Sequence, residues 1–69
     1  MNAIKQELES RKTEIQLAVE LLFKTNMKIT DWDVPEADDK EGAKILLDII
    51  QEKIDALRDD VEAGRYNNY

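Results

Sequence analysis

The chain contains no cysteine and no histidine. The first absence excludes disulfides and thiolate metal sites. The second removes the commonest general base and the commonest transition-metal ligand. Glycine occurs twice and proline once, so long stretches are free of helix breakers. No apolar run approaches the roughly 20 residues that a membrane helix needs. The first residues, MNAIKQELESRK, lack the apolar centre of a secretory signal, and a cytoplasmic location is expected. With 69 residues the chain makes at most one small domain. A single core of that size rarely supplies more than roughly 3–5 kcal/mol.

What is present is charge and aliphatic side chains. Charged residues make up 38% of the chain and hydrophobic residues 42%, too apolar a mixture for a disordered chain. The net charge of −6 argues against general affinity for nucleic acid or anionic membrane.

Two periodic segments dominate. In the first, Leu8, Ile15, Leu22 and Ile29 recur every seven residues, with Ile4, Arg11, Ala18 and Thr25 interleaved. Alternating steps of four and three mark one face of a helix. Asn2 is the expected N-cap, and Glu7–Arg11 and Glu20–Lys24 have the spacing of helix ion pairs. In the second, Ala43, Leu47, Ile50, Ile54, Leu57 and Val61 keep the same steps. Asp38 or Asp39 can cap its start, and Gly64 stands where a helix is closed. The reading is an all-α, antiparallel two-helix hairpin. Its helices cover about 2–29 and 38–63, its acidic connector about 30–38, and its domain 1–64, with a flexible tail at 65–69. Matched seams pair Leu22 with Leu47, Ile15 with Ile54 and Leu8 with Val61.

The connector region, TDWDVPEADDKEG, holds six acidic residues, the only tryptophan and the only proline. Turn formation and helix capping account for most of this composition. Asp31-x-Asp33 opens like a calcium loop, but the fifth, sixth and twelfth places hold Pro35, Glu36 and Gly42, which do not fit one. Glu36-x-x-Asp39 and Glu52-x-x-Asp55 resemble the ExxE and ExxD of all-α nucleotide pyrophosphohydrolases of the MazG type. The resemblance implies magnesium held against a triphosphate. It covers these four residues alone, the first pair ends in Asp, and no Lys or Arg cluster lies nearby for phosphates. A solvated acidic face explains the same residues. Trp32 either folds back as a plug over the hairpin end or anchors a partner.

The apolar content exceeds what a two-helix hairpin hides. Val19, Phe23 and Met27 form a second stripe on the first helix, with Leu21 on the other flank; Ile45, Leu46 and Ile49 form one on the second. These residues are the expected interface, completed by a second copy in a four-helix bundle or by another protein's helix. At the far end Arg11 is expected to reach a carboxylate such as Asp59 or Asp55.

No catalytic side-chain set, metal or cofactor is expected. The reading is therefore a small acidic interaction module, an adaptor, inhibitor or antitoxin-like protein. Trp32, Asp33, Glu36, Asp38 and Asp39 would dock a basic partner. The alternatives are a nucleic-acid mimic that blocks a DNA-binding protein and the magnesium-dependent nucleotide hydrolase. Mimicry sits poorly with the first helical segment, where five basic residues stand against four acidic ones.

Overall fold

The structure is a computed structural model and describes residues 2–36 and 38–67. It is all-helical, with no strand among the described residues. Helix α1 covers Ala3–Ser10, α2 covers Lys12–Asp33 and α3 covers Asp39–Glu62.

The first periodic segment is thus two helices, and the reason is local. The Ser10 hydroxyl donates to the Glu7 carbonyl at 2.7 Å, the acceptor that the Arg11 N–H would use in a continuous helix. The Arg11 N–H turns instead to Leu8, at 3.1 Å, with φ −105° and ψ 8°. Helical bonding resumes at once, Ile15 donating to Arg11 at 2.9 Å. The break is a kink of one residue. Arg11 itself pairs with Glu14, Nε to Oε2 3.8 Å, rather than with Glu7, Asp55 or Asp59 as expected. Glu20–Lys24 forms as expected, at 3.4 Å.

The second difference lies at the connector. Helix α2 continues four residues past Ile29 and takes in Thr30–Asp33, so Trp32 stands in its last turn and not in a loop. Pro35 explains where it stops. A residue before proline is pushed out of the helical region, and Val34 has φ −135° and ψ 75°. Only a short turn through Pro35 and Glu36 separates this point from Asp38.

The remaining helix ends follow their side chains. Asn2 accepts from the Lys5 N–H at 3.0 Å and starts α1. Asp38, not Asp39, caps α3, accepting from the Lys40 and Glu41 N–H groups at 2.9 and 3.4 Å. At the other end Gly64 has φ +80°. Its N–H reaches Val61 and that of Arg65 reaches Asp60, the bond pair of a Schellman motif. Arg65 adds an ion pair to Asp60 at 3.6 Å. The expected tail is turned as far as Asn67; its end, including Tyr69, lies outside the described residues.

Helices α2 and α3 meet beside the connector. The half-buried side chains there are Phe23, Asn26 and Met27 on α2 and Ala43, Leu46 and Ile50 on α3. The contacting face of α2 is therefore the Phe23–Met27 stripe, while Leu22 and Ile29 of the expected seam stay about half exposed. No described side chain is fully buried. The molecule measures 51 × 27 × 17 Å, with a radius of gyration of 16.0 Å. A compact domain of this length would have a radius of about 11 Å.

Two substitutions test these helix ends by chemical denaturation followed by circular dichroism. Gly64→Ala places a Cβ 3.1 Å from the Asn67 amide at a positive φ and should cost about 1 kcal/mol. Asp38→Ala should cost about 1 kcal/mol through loss of the cap, and Asp39→Ala clearly less.

Candidate functional site

Helix α2 carries apolar side chains over about half of its circumference, and α3 over slightly more, at 3.6 residues per turn. Each helix meets the other along one narrow line, so apolar margins remain on both sides of the contact. These margins form two open grooves that share Val19 and Ile50. The first, about 540 Å³, runs along Ile15, Val19 and Phe23 of α2 and Leu47 and Ile50 of α3. The second, about 400 Å³, lies between Val19, Leu22 and Asn26 of α2 and Leu46, Ile49, Ile54 and Leu57 of α3. Both are lined almost wholly by carbon. The polar lining groups are Gln16 and Glu20 in the first, and Asn26 and Lys53 in the second. The Asn26 amide is already engaged, donating to the Leu22 carbonyl at 2.8 Å.

The six expected interface residues divide between two roles. Phe23, Met27 and Leu46 are half-buried at the α2–α3 contact. Val19, Ile45 and Ile49 stay about half exposed, and Val19 and Ile49 line the grooves. Sequence reasoning missed the part played by Leu47, whose seam position it treated as covered, although Leu47 is 53% exposed and lines the first groove. Leu17 was missed as well. It is 51% exposed on α2, four residues before Leu21, and its spacing from Leu21 could have revealed it.

Trp32 is 85% exposed. It does not plug the end of the chain, which leaves the anchor alternative. Asp33, Glu36, Asp38 and Asp39 are all exposed around the connector. Asp38 is committed to the α3 cap.

One carboxyl in this region is perturbed. Asp31 is held above the ordinary aspartate range, first by a side-chain hydrogen bond with Asp39, then by lost hydration and by repulsion from the Asp39 charge. A neighbouring negative charge disfavours ionisation of the Asp31 carboxyl. The last turn of α2 adds to the cost, since it holds Asp31 and Asp33 where the helix dipole favours cations.

The four residues of the hydrolase resemblance are dispersed. Glu36 is in the turn, Asp39 opens α3 beside Asp31, and Glu52 and Asp55 lie on the exposed side of α3, where Asp55 accepts from Gln51 at 2.9 Å. Among the described residues no three acidic side chains converge in a metal-holding arrangement. No described helix is long and apolar enough to cross a membrane. Comparison with known protein families, with curated proteins and with solved structures finds no match to this chain.

The Asp31–Asp39 pair has a pH signature. A carboxyl whose pKa is raised on folding adds stability below its unfolded pKa and loses it as pH rises through the folded value. Asp31→Asn should therefore raise the melting temperature at pH 7. The difference from the parent chain should close as pH falls below the ordinary aspartate range. A difference that persists in acid would show that the pair is not its cause. Trp32→Ala should leave stability within about ±0.5 kcal/mol, as for an exposed side chain.

Proposed function

We propose that this chain is a protein-interaction module whose first partner is a second copy of itself. Two α2–α3 pairs, each folded as an antiparallel hairpin, close a four-helix bundle, and the assembled acidic particle acts by binding another protein.

One observation carries this reading. The chain exposes 6479 Å² and buries no described side chain. A compact monomer of 8.0 kDa exposes about 4,500 Å². The excess is about 2,000 Å² per chain, within the range that obligate dimers bury. Part of it is apolar surface in the grooves, where covering each large aliphatic side chain contributes roughly 1.5–3 kcal/mol. A few such groups equal the stability of a whole small domain.

Charge favours the 540 Å³ groove for the second copy. Glu20 lines it on α2. Leu47 lines it on α3, and Lys40 and Arg58 share the Leu47 edge by helical spacing. A two-fold arrangement that lays α2 of one copy along α3 of the other sets these opposite charges across the rim. The contact is self-complementary.

Light scattering coupled to size exclusion should give twice the 8.0 kDa chain mass at micromolar concentration. Leu47→Glu should shift the mass toward one chain and lower the melting temperature with it, because folding and association bury the same side chains. A stable 8.0 kDa species at high concentration would overturn the self-association reading.

A further inference from the structure

The two grooves are not equivalent, and α3 makes the difference. Glu41, Asp48, Asp55 and Glu62 recur every seven residues, with Glu52 and Asp59 interleaved. All six are exposed; by helical spacing Glu41, Glu52 and Asp59, with Asp48 just behind them, fall next to the edge that carries Ile45, Ile49 and Ala56, while Asp55 and Glu62 lie toward Lys44. Ile49 lines the 400 Å³ groove. That groove thus has an acidic margin made by Glu41, Asp48, Glu52 and Asp59. On α2 its margin is Ala18 and Thr25, which are uncharged. Lys53 lines the groove as well, and its aliphatic stem suits that position while its ammonium can reach the rim.

The stripe is kept against local stability. Asp59 and Glu62 stand in the last turn of α3, which holds no basic residue, at the end where the helix dipole disfavours carboxylates. Ordinary surface optimisation would place lysine there. A second copy is a poor occupant of this groove. Two-fold pairing would bring a second acidic stripe to the same margin, with nothing on α2 to balance it, and like charges across an interface are costly.

We infer that the 400 Å³ groove takes a basic amphipathic helix from another protein. Apolar side chains of that helix seat on Leu22, Ile49 and Leu57, and its lysines or arginines face the Glu52–Asp48 margin. From Leu46 to Leu57 the groove follows α3 for about 16 Å, three turns of a docked helix. This inference rests on the interaction-module reading but not on the dimer, which uses the other groove.

The test uses the full chain and a fluorescein-labelled 18-residue amphipathic peptide of leucine and lysine, with a leucine–glutamate peptide as its counterpart. Anisotropy should show the lysine peptide binding one per chain. Its affinity should fall about tenfold between about 50 and about 300 mM salt, as rim charges are screened. The glutamate peptide should not bind. Asp48→Lys with Glu52→Lys should weaken the lysine peptide about tenfold, while Glu7→Lys with Glu9→Lys, an identical charge change on α1, should leave it within about twofold. All four positions are exposed, so both variants should keep the fold, which circular dichroism checks. Equal loss in the two variants would mean diffuse attraction to an acidic protein and would overturn the assignment. So would binding of the glutamate peptide, or no binding at all. Failure of peptide binding in a chain that still runs as a dimer rejects this inference alone. Site-specific binding to a chain that runs as a monomer rejects the dimer and keeps the groove.

Discussion

Two helices can hide one stripe each, and these two helices carry nearly twice that. Every large feature of the molecule follows from this mismatch. The α2–α3 contact takes Phe23, Met27, Leu46 and Ile50 and leaves none of them fully covered. The grooves are the parts of the two apolar arcs that the contact does not reach. Cohesion is greatest beside the connector, where the chain connection itself holds the helices together. It falls toward Ala3, where α1 carries Ile4 and Leu8 with 73% and 49% of their surfaces exposed. A helix of eight residues has little stability without packing, which suits a segment that a one-residue kink can separate from α2.

Charge divides the surface in a way that apolar content does not. Along the polar face of α3, Lys40 and Arg58 lie beside Leu47, Glu41, Glu52 and Asp59 lie beside Ile45 and Ile49, and Lys44, Asp48, Asp55 and Glu62 share the strip between them. Helix termini make the asymmetry costly. The last turns of α2 and α3 hold Asp31 and Asp33, and Asp59, Asp60 and Glu62, and neither holds a basic residue. Asp60 recovers part of this cost through Arg65, and Asp31 recovers none through Asp39. Sequences optimised for stability alone do not collect acid at both negative helix ends. The collection is accounted for if the carboxylates meet cations supplied by something else.

The helical class was legible in the sequence because a seven-residue pattern free of glycine and proline has few other solutions. The caps at Asn2 and Asp38 and the closure at Gly64 were legible because each depends on a side chain or a positive φ at one position. The end of α2 was misplaced at Ile29. Acidic composition reads as a loop, whereas the residue that stops a helix is Pro35, acting on Val34. The kink at Arg11 turns on one hydroxyl, that of Ser10, which periodicity does not register. The facing stripe was missed for a different reason. Leu22 and Phe23 are both apolar and sit 100° apart, so pattern alone places either one toward α3. In the structure Phe23 and Met27 are the half-buried ones.

Placing Phe23 inward has a consequence for Leu22, Ile29 and Leu47. Had the expected seam formed, these three would have closed the chain on itself, and Val19, Phe23 and Met27 would have made the outer face. The rotation puts the seven-residue pattern itself at the groove margins. That pattern is the one suited to knobs-into-holes packing between helices. A surface with that periodicity fits another helix better than it fits a loop or a small molecule. Helical occupants are therefore what we propose for the grooves. In that proposal the edge at Lys40 and Arg58 suits an acidic neighbour, and the edge at Glu41, Glu52 and Asp59 suits a basic one.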